Sequence, residues 1–172
     1  LALAAEFVLL DAALHDLKGF DCGKASLNDY LSRYAVRNSG LGLSRTWVLT
    51  EQAEHGKLPI AAYYTLASST VAREELPAQN KSLPAYPVPV VLLARLGVSF
   101  HYQGQQLGAK TLVQALRTAL ELADRGLPAL GVVLDVLDDA ALRFYQHMGM
   151  FMPLTDQPQR LFVPMGTIRQ LS

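Results

Sequence analysis

With 172 residues, 51% of them apolar, and 15 basic side chains balanced by 15 acidic ones, the chain is neither a disordered tail nor a highly charged wrapper. Its length suits one globular unit spanning residues 1–172 with room for a buried core. A formal net charge of zero means that any nucleic-acid contact has to come from a local basic patch, and a single cysteine, Cys22, excludes an intrachain disulfide and a cysteine-rich zinc site.

The opening "LALAAEFVLL" has no basic leading segment and is soon broken by Asp11 and by the charged run from His15 to Lys18, so neither a signal peptide nor a membrane span is expected; the lone cysteine fits a reducing, cytoplasmic setting. "FVLLDA" reads as a first strand, and the loop "HDLKGFDCGK" follows. Ser26 is expected to cap a helix over residues 27–38, with Asp29 completing a variant capping box and Leu27, Tyr30, Leu31 and Tyr34 as its apolar stripe. Arg33 and Arg37 project from its other face, and Gly40 and Gly42 end it.

"RTWVLTE" and "IAAYYTLASSTVA" read as an antiparallel hairpin, and the proline-rich stretch from Arg73 to Pro89 as an irregular excursion. "VVLLARLGV" is a nearly continuous apolar run, expected of a strand buried on both faces. Beyond "HYQGQQLGAK" comes a helix over residues 109–124, whose Leu112, Ala115, Leu116, Ala119 and Leu122 share one face and which Gly126 stops. "ALGVVLDV" is a further strand, "DDAALRFYQHM" a short helix capped by Asp138 and ended by Gly149, and "RLFVPM" a last strand. The order β, α, β, β, β, α, β, α, β implies a mixed α/β sheet with helices on its faces.

A strand, a tight polar turn and a helix form an anion site when the first helical N–H groups, which lack intrahelical acceptors, face a phosphate. "HYQGQQLGAK" has this form, yet it lacks the Lys-Ser/Thr of a nucleotide P-loop and the three glycines of a dinucleotide fingerprint, so ATP and NAD are disfavoured. On that segment alone, a polar turn without a ligand remains an equal alternative.

Taken together, "LLARLGVSFHYQGQQLGAKTL" and "DDAALRFYQHMGM" resemble the GNAT acetyltransferases, whose acetyl-CoA loop has the pattern Gln/Arg-x-x-Gly-x-Gly/Ala. Gln103 and Gly108 match the ends of the pattern, and Gln106 stands where the middle glycine is usual. "FDCGKASLNDYLSRYAVRNSGLGLSRTWV", "YPVPVVLLARLGV" and "FYQHMGMFMPLTDQPQRLFVPM" narrow the resemblance to the GNAT toxins of type II toxin-antitoxin modules.

That resemblance implies a GNAT-like central mixed, largely antiparallel sheet flanked by helices. It implies an acetyl-CoA-dependent N-acetyltransferase acting on the α-amino group of aminoacyl-tRNA and inhibiting translation, held by a ribbon-helix-helix antitoxin and assembled as a homodimer. Leu96, Gly97 and Val98 would lie beside the pantetheine arm. Gln103, Gly104, Gln105, Gln106, Leu107, Gly108 and Ala109 would wrap the pyrophosphate, with Lys110 adding charge. Tyr145 would be the catalytic acid, donating to the departing CoA thiolate as a phenol of ordinary pKa, about 10.

No catalytic base is assigned, because an α-amino group, with a reference pKa of about 7.7 to 8.0, is already partly neutral in the cytosol. Lys24, Arg33, Arg37, Arg45 and Arg95 are the candidate tRNA patch, with a solvated helix face as the plain alternative. His101 and His147 stand near the motifs without metal-ligand spacing, and no metal is expected. Two other readings stay open: a GNAT enzyme for a small-molecule, polyamine or protein amine, and a noncatalytic module that binds CoA or a partner.

Overall fold

The computed structural model describes residues 2–77 and 82–171. The strands β1 (Val8–Leu9), β2 (His15–Asp16), β3 (Arg45–Thr50), β4 (Leu58–Val71), β5 (Val88–Val98), β6 (Gly131–Asp135), β7 (Met152–Leu154) and β8 (Gln157–Pro164) make one mixed sheet in the order β1-β3-β4-β5-β6-β8-β7, with β2 parallel beside β4. Apart from that short pairing, the parallel ladder recorded is β5 with β6; β1 with β3, β3 with β4, β6 with β8 and β7 with β8 run antiparallel. The helices are α1 (Ala25–Asp29), α2 (Ala35–Gly40), α3 (Leu107–Asp124), α4 (Asp139–Met148) and α5 (Met165–Arg169), with a π turn, Tyr30–Tyr34, joining α1 to α2.

Two compact units share these elements, Leu1–Ala67 with Arg95–Ala115 and Ser68–Ala94 with Leu116–Ser172. In the first, the β4 run Ile60–Leu66 is buried at every position, which suits its apolar and aromatic sequence; its one polar side chain, Thr65, shares a hydrogen bond with the buried Thr46 at 2.7 Å. Phe20, Tyr30, Leu31, Ala35, Val48, Ile60 and Tyr63 form one cluster there. The second unit has its own cluster, built from Val71, Leu76, Val88, Val90, Val133, Leu154 and Phe162. The continuous burial expected for "VVLLARLGV" holds only in part: Val90, Val91, Leu93 and Gly97 are buried, Leu92, Ala94, Leu96 and Val98 partly so, and Arg95 is exposed. Four residues of the expected stripe on α3, Leu112, Ala115, Leu116 and Ala119, are buried, and Leu122 at its end is partly so.

The first helical segment departs from its sequence reading at two points. Ser26 lies inside α1, whose N-cap is Lys24 without a side-chain cap bond; the junction is sealed by Asn28, which accepts from the Cys22 N–H at 2.9 Å and donates to Asp21 at 3.0 Å. Tyr34 leaves the apolar face. In the π turn the Ala35 N–H reaches back five residues to the Tyr30 carbonyl, so that Ala35 takes the buried place and Tyr34 is 48% exposed. The hairpin β3–β4 forms as expected, with a register shift at Leu49/Thr50. In the Arg73–Pro89 excursion, Arg73–Glu75 is a 3-10 turn, Val88 already belongs to β5, and residues 78–81 lie outside the described residues. The two-residue β2, the short β7 and α5 carried too little periodic pattern to be read from sequence.

Candidate active site

The phosphate-type loop is built from its anchors. After β5, the Ser99 N–H bonds the Ala61 carbonyl at 2.8 Å and the Phe100 N–H bonds Asp21 at 2.9 Å, which fixes the 3-10 turn Phe100–Tyr102. The Tyr102 hydroxyl donates to Glu51 at 2.7 Å, and desolvation followed by that hydrogen bond pushes its pKa up to about 12. The Gln103 side-chain amide donates both to Cys22 O at 2.9 Å and to Val98 O at 3.0 Å. Gln103 thus spans the base of the loop, tying the strand end to the segment before α1.

Above that base the chain turns twice through the left-handed region, at Gly104 (φ 80°) and at Gln106 (φ 64°), and α3 begins at Leu107. Gln106 adopts the backbone that a glycine would adopt more easily. Leu107 packs beside Leu49, Ala61 and Ala62, holding the helix end in place. Gln103 to Gln106 and Lys110 are exposed, Gly108 and Ala109 partly buried. Positive-φ turns leading into an 18-residue helix bring backbone N–H groups and the positive end of the helix dipole to one spot, a donor set that suits a pyrophosphate.

Leu96 to Val98 lie beyond the β5–β6 ladder, which pairs Val91 with Val132 and Leu92 with Val133. Gly97 is closely packed: a Cβ there would stand 3.0 Å from the Tyr63 ring and 3.3 Å from Phe20, so these rings would have to give by a few tenths of an ångström, and Tyr63 is fully buried with its hydroxyl on the Leu27 carbonyl. Sequence reading missed the support that residues 21–28 give the loop. Its only local sign was the Asp-x-Gly turn, in which Asp21 accepts from the Gly23 N–H. That bond, with the one from Asn28, holds the exposed Asp21 carboxyl below its ordinary pKa.

In the second unit, Asp138 caps α4 as expected, its carboxylate accepting from the Ala141 N–H at 2.8 Å, and Gly149 ends the helix in the left-handed conformation. Tyr145 on α4 is buried between Phe144 and Phe151, with ring centroids 5.2 and 5.5 Å away. Among the described residues its hydroxyl has no hydrogen-bond partner, and burial pushes its pKa up to about 12. The phenol is therefore a firmer holder of its proton than the ordinary tyrosine expected from sequence.

All five candidate patch residues belong to the first unit and are exposed. Arg45 bonds the Ser39 carbonyl at 2.9 Å, and Arg95 lies over the Tyr30 ring at 4.5 Å. Arg33 and Arg37 have no hydrogen bond or ion pair among the described residues. No group of three or more His, Cys, Asp or Glu able to hold a metal ion occurs among the described residues, and no helix there is long and apolar enough to cross a membrane.

No protein-family model matches the chain. It is 34% identical over 157 residues, 91% of this chain and 90% of the relative, to a tRNA-acetylating toxin of Mycobacterium tuberculosis. Among solved structures it resembles AtaT complexed with acetyl-methionyl-tRNAfMet, at 29% identity, a TM-score of 0.86 and 98% coverage of both chains. It also resembles a Tyr-to-Phe variant of AtaT bound to the C-terminus of the antitoxin AtaR and acetyl-CoA, at 27% identity, a TM-score of 0.80 and coverage of 97% of this chain and 96% of the other.

Proposed function

The chain belongs to the tRNA-acetylating toxins of the GNAT acetyltransferase type, and from that membership we propose that, as one GNAT domain over residues 1–172, it transfers the acetyl group of acetyl-CoA to the α-amino group of an aminoacyl-tRNA in the cytoplasm, blocking translation. The observation that carries the proposal is the 34% identity to a tRNA-acetylating toxin along nearly the whole of both chains. Acetyl-CoA supplies an activated thioester carbonyl. The backbone N–H groups from Gln103 to Ala109 and the start of α3 hold its pyrophosphate, Lys110 adds positive charge, and the backbone of Leu96, Gly97 and Val98 takes its pantetheine amides.

Tyr145 handles the proton. As the amine nitrogen bonds the acetyl carbon and the carbon–sulfur bond breaks, the Tyr145 hydroxyl gives its proton to the sulfur, and the phenolate recovers one from the newly acylated nitrogen. With a pKa of about 12 the phenol is a weak acid but its conjugate a strong base, so the raised value favours the second transfer and keeps the first concerted with bond cleavage. The α-amine, with a reference pKa of about 7.7 to 8.0, presents a neutral fraction without a protein base, whereas a lysine amine near about 10.4 does not.

Lys24, Arg33, Arg37, Arg45 and Arg95 meet tRNA phosphates, and a ribbon-helix-helix antitoxin and self-association as a homodimer complete the proposed partners. The AtaR complex of the AtaT variant supports the antitoxin. The test is to incubate the pure protein and acetyl-CoA with a panel of aminoacyl-tRNAs, beside polyamines and peptides. Acetyl transfer to one or more charged tRNAs is expected; turnover confined to polyamines or peptides overturns the proposal.

A further inference from the structure

Between Asp29 and Glu51 the chain carries Arg33, Arg37 and Arg45 and no acidic residue. In this segment the π turn lifts Tyr34 out of the core to 48% exposure while leaving its ring 6.5 Å from that of Tyr30, tilted by 36°. Tyr30 is clamped. Its hydroxyl bonds Ser44 at 3.0 Å and accepts from Asn38 at 3.4 Å, and its ring carries the Arg95 guanidinium. Arg33 and Arg37, on either side of Tyr34, keep both guanidinium groups uncommitted among the described residues. An exposed aromatic ring braced by a second ring and flanked by unpaired arginines combines the two parts of a single-stranded nucleic-acid site, a stacking surface and phosphate contacts.

Resting on the aminoacyl-tRNA reading above, we propose that Tyr34 is the stacking platform for an unpaired base of the tRNA acceptor end, with Arg33 and Arg37 on the adjoining phosphates. The extra residue of the π turn is what makes the platform, because an uninterrupted α-helix would keep Tyr34 on the stripe of Tyr30 and Leu31. The absence of acids across the segment favours a polyanion over an ordinary protein surface. Exposed Val36, Leu41 and Leu43 lie along the same segment, which makes self-association the competing use of this face.

The test is steady-state acetylation of a charged tRNA by the full chain carrying Tyr34→Ala, Tyr34→Leu, Tyr34→Phe or Tyr34→Trp. It is paired with the fluorescence of 2-aminopurine placed in the unpaired 3′ end of uncharged tRNA, and with sedimentation. For Ala and Leu the tRNA KM rises roughly five- to a hundredfold, the range for losing one base-stacking side chain, while the acetyl-CoA KM stays put and the quenching of 2-aminopurine is lost. Phe and Trp keep both readouts within about twofold of the parent, since stacking needs the ring and not the hydroxyl. An unchanged tRNA KM and unchanged quenching in folded Tyr34→Ala and Tyr34→Leu overturn the inference and leave the enzymatic reading intact. So does a shift in oligomeric state with tRNA KM unaltered, which gives the face to self-association. A parent protein that acetylates no charged tRNA sinks the enzymatic reading and this one with it.

Discussion

The Gln103 side-chain amide hydrogen-bonds the Cys22 carbonyl 81 residues earlier in the chain, at 2.9 Å, and the carbonyl of Val98 at 3.0 Å. The first residue of the phosphate-loop pattern is thereby a strut inside the protein, and the anion donors are left to the backbone that it holds in place. Gln103→Ala removes two hydrogen bonds of about 0.5 to 1.5 kcal/mol each. Acetyl-CoA affinity is expected to fall about five- to twentyfold with a modest loss of thermal stability. Calorimetric titration and a melting curve check it, and unchanged affinity would assign the loop's shape to its other anchors.

Gln106 sits at φ 64°, where an L side chain is disfavoured by roughly 1 to 2 kcal/mol. Gln106→Gly relieves that strain, offset in part by the larger entropy of glycine in the unfolded chain. Net stabilisation of about 0.5 to 1 kcal/mol is expected, with acetyl-CoA binding preserved or improved. Denaturant unfolding and titration measure both, and a marked loss of binding would show that the glutamine side chain itself contacts the ligand.

Tyr145→Phe removes a hydroxyl that has no hydrogen-bond partner among the described residues and keeps the buried ring, so stability should stay within about 0.5 kcal/mol of the parent. Turnover should drop about 10²- to 10⁴-fold, the usual worth of a positioned acid–base group, with acetyl-CoA still bound. Because the phenol titrates near 12, kcat/KM should rise toward pH 8 as the α-amine deprotonates and then hold level to about pH 10. Full turnover in Tyr145→Phe would remove the residue from the chemistry.

His15 is almost fully buried; burial lowers its pKa below 6.5, only partly opposed by Asp11, and its Nδ1 accepts from the Asp11 N–H at 2.9 Å. In the unfolded chain the imidazole protonates as pH falls through about 6.5, while in the native state it stays neutral to lower pH, so the unfolded state binds the extra proton. Stability is therefore held above pH 6.5 and lost progressively below it. His15→Asn retains a hydrogen-bond acceptor without a titrating ring and is expected to flatten this part of the profile. Melting temperatures from pH 5 to 8 decide it, and parallel profiles for the two proteins would count against His15 as the source.

Much of this protein was set by neighbours in the sequence. Asp138 and Gly149 bound α4, the spacing of Leu112, Ala115, Leu116 and Ala119 faces α3 inward, and a strand–polar-turn–helix order places the loop, because caps, periodicity and turn residues act over a few positions. Ser26, Tyr34, Gln103 and Tyr145 needed the tertiary structure. Asn28 rather than Ser26 seals the first helix because its partners, Asp21 and Cys22, come to it through a folded loop. Tyr34 is exposed because one π turn shifts the register of everything after it, and no residue pattern announces that shift. Gln103 binds across 81 residues, and Tyr145 owes its raised pKa to burial beside Phe144 and Phe151; distance and desolvation are properties of the folded chain, which no local window of sequence contains.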